Sequence, residues 1–93
     1  MVMNETPSDS SLITYPCQFP IKVMGLNVDG FTEAMIRVAL QFDPGLGPDA
    51  VQTRASSAQK YLAVTLTVTA TSRDQLDELY RTLSTHPWVK MVL

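Results

Sequence analysis

Few side chains in this sequence are able to do acid–base, nucleophilic or metal chemistry. His86 is the only histidine and Cys17 the only cysteine. His86 stands between a helical pattern and Pro87, with no residue type beside it that would activate it. Cys17 follows a Ser- and Pro-containing stretch, which offers a nucleophile none of the rigid positioning that catalysis needs. Sequence alone leaves a Cys17–His86 dyad open, but a zinc site would have to recruit carboxylates that show no ligand spacing. Asp74, Asp77 and Glu78 gather negative charge that could draw a divalent cation. Arg73 and Arg81 each lie four residues from Asp77, however, and such pairs describe a solvated helix face worth roughly a few tenths of a kcal/mol each. We therefore expect no catalytic residue, no metal site and no cofactor.

The glycine-bearing segments carry weak signals. In Gly25-Leu26-Asn27-Val28-Asp29-Gly30 the two glycines have the spacing of a phosphate-binding loop, but Phe31 stands where the lysine is required. A glycine turn with Asp29 capping the following helix explains the segment more simply, although free amides at a helix start do attract anions. Gly45-Leu46-Gly47-Pro48 is a loop, because no strand feeds it and no third glycine opens a helix.

The elements that must position these residues follow from periodicity. Phe19, Ile21 and Val23 alternate with Pro20, Lys22 and Met24 as a first strand that Gly25 breaks. Phe31, Ala34, Met35, Val38, Ala39 and Phe42 form one helical stripe, which Asp43-Pro44-Gly45 stops with a turn in which Gly45 can take the positive φ. Val51–Ser56 reads as a weak second strand whose inward face is Val51, Thr53 and Ala55. A loop at 57–60 leads to the strongest strand, Tyr61–Ala70, in which Leu62, Val64, Leu66, Val68 and Ala70 alternate with Tyr61, Ala63 and three threonines. Ser72 and Gln75 have capping-box spacing ahead of a helix with Leu76, Leu79, Tyr80 and Leu83, and Trp88–Leu93 closes the sequence as a last strand. Residues 1–16 read as a flexible tail and 17–93 as one domain.

The order β-α-β-β-α-β is that of the α+β ferredoxin-like plait, a four-stranded antiparallel sheet of order 4-1-3-2. Right-handed crossovers place both helices on one face. Composition agrees with a small soluble domain: 93 residues, 45% hydrophobic, 17% charged, net charge −2. That size leaves no room for a large enzyme, and the charge gives no overall field to hold a polyanion. One cysteine, no apolar run near the roughly 20 residues of a membrane span, and no basic-then-apolar leader set the expectation of a cytoplasmic protein without membrane contact.

The uncovered sheet face is then the candidate interaction surface. It collects Lys22, Met24, Tyr61, Ala63, Thr65, Thr67, Thr69, Trp88, Lys90 and Val92, together with Gln52 and Arg54, and so holds three cations and no acid. A basic sheet with aromatics is how the RNA-binding plait stacks bases, but that module needs aromatics on both central strands. Simple solvation, or pairing with another copy, accounts for such a face as well. The last strand, an edge with Trp88 as anchor, offers a second route to a homodimer by continuing the sheet.

Phe19-Pro20-Ile21-Lys22-Val23-Met24-Gly25, the Ser56-Ser57 to Tyr61 hairpin and the terminal Val89-Lys90-Met91-Val92-Leu93 resemble the YbeD-like family of small bacterial proteins of unknown function. The resemblance spans about Tyr15 to Leu93, with Ala58-Gln59-Lys60 where a hairpin glycine is common in that family. It implies the same βαββαβ fold, similar to the ACT domains that regulate amino-acid metabolism by binding small effectors, and no assigned activity. On that likeness Gly25, Asn27 and Asp29 match the position of the ACT effector site. The expectation is a non-enzymatic regulatory or protein-interaction module, acting as a homodimer or on a protein partner and sensing a small anionic effector. The alternative is a binder of single-stranded nucleic acid. The interaction face in either case is Lys22, Arg54, Tyr61, Thr65, Trp88 and Lys90.

Overall fold

The computed structural model describes residues 14–93. In chain order they form β1 (Cys17–Leu26), α1 (Phe31–Phe42), β2 (Val51–Ala55), β3 (Tyr61–Ala70), α2 (Arg73–Ser84) and β4 (Val89–Val92), with a short 3-10 turn at Pro48–Ala50. The sheet order is β2-β3-β1-β4 with every pairing antiparallel, which is the expected 4-1-3-2 order read from the other edge. Most of the proposed tail, residues 1–13, lies outside the described residues. Tyr15, placed in that tail, packs against the core, and β1 begins at Cys17 rather than Phe19.

Both helices set their apolar stripes on one face of the sheet. Phe31, Met35 and Ala39 of α1 and Leu76, Leu79 and Leu83 of α2 close over Ile21 and Val23 of β1 and Val64, Leu66, Val68 and Ala70 of β3. Each large side chain fully buried this way contributes about 1.5–3 kcal/mol, and no polar or charged side chain is buried among the described residues. Burial pushes the Tyr80 phenol above its usual pKa, and its hydroxyl donates to the Leu93 carbonyl (3.4 Å), linking α2 to the end of the sheet.

Several local devices differ from expectation. Gly25 does not end β1, which continues to Leu26. It is buried where a Cβ would collide with the Trp88 carbonyl oxygen and the Phe31 ring. Asp29 does not cap α1; Gly30 takes the N-cap position in the left-handed region (φ 89°), with no side-chain cap. Gly45 is not at positive φ, because the Asp43 carboxylate organises that turn. Its Oδ1 accepts from the Gly45 amide (3.2 Å) and its Oδ2 from the Thr69 amide (2.9 Å). The left-handed residue of the β2–β3 hairpin is Gln59 (φ 57°), closed by Gln59 N–H donating to Ser56 O (2.8 Å).

Gly25→Ala is expected to cost about 1–3 kcal/mol through overpacking. In scanning calorimetry this lowers Tm by roughly 4–8 °C per kcal/mol for a domain of this size. Gly47, with nothing within 4 Å of the corresponding position, is the control and should change stability by less than about 0.5 kcal/mol as alanine.

Candidate functional site

Residues directly opposite in a sheet share a face, so the register assembles the uncovered side row by row. One row is Lys22, Thr65 and Gln52; the next is Met24, Ala63 and Arg54. Three adjoining shallow depressions result. The first, about 260 Å3, is lined by Lys22, Met24, Arg54, Tyr61 and Ala63 among others. A second, about 330 Å3, adds Gln52 and Thr65, and a third, about 230 Å3, lies between Met24, Tyr61, Lys90 and Met91. Lys22, Arg54, Tyr61, Thr65 and Lys90 therefore stand on one continuous surface.

Trp88, the sixth residue expected there, is elsewhere. It is half-buried against the core, with its ring beside Gly30 and 5.3 Å from the His86 ring. Strict alternation along the last strand places Trp88, Lys90 and Val92 outward, but β4 begins only at Val89, leaving Trp88 in the preceding turn. The register then shifts: Gly25 faces Val89 while Met24 faces Met91. Lys90 is the extra residue of a bulge, which lets it and Met91 share the open side. Val92 sits opposite buried Val23 and packs inward. Met91, 51% exposed, is the surface residue that the sequence reading missed, and no residue type marks a bulge of this kind in advance.

The electrostatics of this surface are one-sided. None of the four strands contains Asp or Glu. The ion pairs among the described residues, Arg73–Asp77 and Arg81–Glu78, are exposed and lie on α2. Arg81 thus pairs with Glu78 rather than with Asp77, and Lys22, Arg54 and Lys90 have no ionic partner among the described residues. The acidic stretch of α2 is a solvated, internally paired face of small energetic weight.

The loop between β1 and α1 does not bring Gly25, Asn27 and Asp29 together as a site. Gly25 is buried under Trp88 and Phe31, and Asp29 is exposed. Asn27 is committed to the hairpin: its backbone amide donates to Lys60 O (3.1 Å) and its Nδ2 to Gln59 O (3.0 Å). Val28 and Phe31 amides are likewise satisfied within the loop, by Leu26 O and Val28 O.

A Cys17–His86 dyad is incompatible with the register. Cys17 pairs with Ala70 at one end of β1, whereas Val89, three residues after His86, pairs with Gly25. Eight residues of strand, about 26 Å, separate those positions. His86 Nδ1 accepts from the Trp88 amide (3.2 Å). Among the described residues no group of three or more His, Cys, Asp and Glu is placed to hold a metal ion, and no helix is long and apolar enough to cross a membrane.

Comparison with known proteins places the chain among relatives of nearly equal length. The family model described as "Protein of unknown function (DUF493)" matches residues 10–93. A UPF0250 protein of Leptothrix cholodnii is 60% identical over 98% of this chain and 100% of its own length, and one of Bordetella pertussis is 52% identical over the same shares. Among solved structures, protein HP0495 from H. pylori superposes with a TM-score of 0.69 at 17% identity, covering 97% of each chain. The ACT domain from GTP pyrophosphokinase of Chlorobium tepidum does so with a TM-score of 0.64 at 20% identity, covering 83% of this chain and 97% of that one. At these identities the two structures show a shared fold.

Because Asn27 pins the hairpin, Asn27→Ala is expected to destabilise the protein by about 1 kcal/mol. Hydrogen exchange should show the loss as faster amide exchange in residues 57–61. Unchanged exchange there would contradict this structural role.

Proposed function

The chain belongs to the DUF493 family, and from that premise we propose that it is a cytoplasmic, non-enzymatic regulatory module that docks an acidic segment of a protein partner on its open sheet face. The observation that carries this reading is a sheet side with three cations, no carboxylate and no ionic partner for any of them among the described residues. The cations alternate with apolar ground. Met24, Tyr61 and Met91 line the depression between Lys22 and Lys90, so a segment mixing carboxylates with apolar side chains meets both halves of the surface.

The same features disfavour the other occupants. A second copy stacked face to face would set Lys22, Arg54 and Lys90 against their own kind, and like charges brought together at an interface oppose association. Single-stranded nucleic acid gains most of its non-electrostatic affinity from stacking. Tyr61 is the one aromatic on this surface, since the structure turns Trp88 inward and β1 presents Met24 instead. For a small metabolite the depressions are shallow, whereas an extended segment spans all three. A non-enzymatic role is supported by the engagement of His86 Nδ1 with the Trp88 amide and by the distance between Cys17 and His86 along the sheet.

Fluorescence anisotropy with a labelled peptide of about twelve residues alternating Glu with Leu and Phe, beside an oligothymidine of equal charge, tests the reading. We expect the peptide to bind more tightly and its affinity to fall as salt rises. Lys22→Glu combined with Lys90→Glu should weaken it about tenfold or more, a difference of about 1.4 kcal/mol. Tighter binding of the oligothymidine, or peptide binding indifferent to the double reversal, would overturn the proposal.

A further inference from the structure

We propose that the free edge of β2 pairs antiparallel with the same edge of a second copy, about a two-fold axis through Thr53, so that two four-stranded sheets become one of eight. β2 bonds only to β3. The Ser56 amide donates to Tyr61 O (2.9 Å), and because hydrogen-bonded and non-bonded pairs alternate along an antiparallel ladder, Arg54 and Gln52 also turn their backbone groups toward β3. Thr53 and Ala55 turn theirs outward, as does the Val51 carbonyl, while the Val51 amide is already bonded to Pro48 O.

This open stretch is short and sharply bounded. Past Val51, which faces Leu66, the continuing edge of β3 is plugged by side chains: Thr69 N–H donates to Asp43 Oδ2 (2.9 Å), and Gln75 Nε2 donates to Thr69 O (3.2 Å). At the other end the strand runs into the hairpin. The protected part of the edge is therefore closed by dedicated polar groups, and the part left open runs from the Val51 carbonyl to Ala55.

The five residues are complementary to themselves. With Thr53 opposite Thr53 of a second copy, Val51 faces Ala55, and Arg54 faces Gln52 rather than another cation. The Thr53 pair exchanges two hydrogen bonds, at each end the Ala55 amide meets the Val51 carbonyl of the other copy, and threonine opposite threonine is a favourable cross-strand neighbour. The devices that usually blunt an edge are missing: β2 has no proline, no bulge and no inward-pointing charge. Thr53 and Ala55 are exposed although they lie on the helix side, because the helix layer stops short of them. At the Val51 end of the strand an apolar groove of about 440 Å3 lies between Ile36, Leu46, Pro48 and Val51. In the paired register Ala55 of each copy stands opposite Val51 of the other, at the mouth of that groove. The β4 edge fits less well, being four residues long, irregular at Lys90 and deprived of Trp88 as an anchor.

Sedimentation velocity of the full chain over about 1 to 500 μM tests the pairing, and we expect the apparent mass to double across that range. Thr53→Pro removes an outward N–H and no bond to β3, a position where edge strands accept proline, and should hold the protein monomeric. Thr53→Asp sets two carboxylates directly opposite each other and should do the same without changing the backbone, which keeps the test decisive if the proline variant fails to fold. In a Cys17→Ser background, Thr53→Cys should form a covalent dimer on oxidation, since opposed Cα atoms about 5.5 Å apart lie in disulfide range. Lys22→Glu with Lys90→Glu, which tests the docking face, should leave the mass unchanged, so the two proposals fail separately. A monomer throughout, or a dimer unaffected by Thr53→Pro and Thr53→Asp, would overturn this one.

Discussion

Close approach at Gly25 decides how the last strand meets the first, and much of the remaining architecture follows from it. With no Cβ at that position, the Phe31 ring moves against β1 and anchors the start of α1. From the other side the Trp88 carbonyl comes in and accepts the Leu26 amide (3.0 Å). The strand that follows must then absorb one residue to regain register, and Lys90 is that residue. One backbone contact thereby turns Trp88 toward the helices, Val92 toward the core and Met91 toward solvent. The chemistry of the open face is set by a steric event beneath it.

The polar residues that do not bear on that face serve the framework. Gln75 receives the Thr71 amide on Oε1 (2.7 Å) and donates through Nε2 to Phe42 O (2.9 Å) and Thr69 O, while its own amide is capped by Ser72 (3.0 Å). Asp43 bridges the end of α1 to Thr69. Together they satisfy backbone groups that β3 exposes where β2 no longer covers it, a place where unpaired amides and carbonyls would cost free energy or recruit another chain. Their placement shows which part of the edge the fold closes.

The helix stripes and the alternation of Tyr61–Ala70 were legible in the sequence because each is a repeated pattern in which one residue seldom decides the outcome. Phe31, Met35 and Ala39, or Leu76, Leu79 and Leu83, state a buried face several times over. The lysine-bearing side of the sheet was legible for the same reason, through Lys22, Arg54 and the threonines between them. Single-residue events were not. A bulge shifts parity by one and reverses every later assignment, which is why Met91 and Val92 exchange sides, while Trp88 lies in the turn before β4 and escapes the alternation altogether. Asp43 and Asp29 are both aspartates at helix ends; only the tertiary position of Thr69 tells which of them finds a partner. Asn27 looked like a loop residue free to meet a ligand because its partners, Lys60 and Gln59, lie more than thirty residues away.

Charge segregation connects the two surfaces of the sheet to its edges. The chain carries a net charge of −2, yet its strands hold three cations and no acid, so the carboxylates reside in helices, loops and the N-terminal segment. Across a screening length of about 8 Å in physiological salt, a second copy approaching the open face meets like charge at close range. A copy approaching the β2 edge meets backbone donors and acceptors, with Arg54 beside Gln52. Edge pairing also leaves the open faces side by side on one eight-stranded surface, which doubles the number of cations facing the same way. An acidic partner then sees a broader field with no added residue, and effective concentration makes two weak contacts on such a surface far stronger than one. Edge pairing and face docking therefore do not compete for the same atoms; the first enlarges the surface on which the second acts.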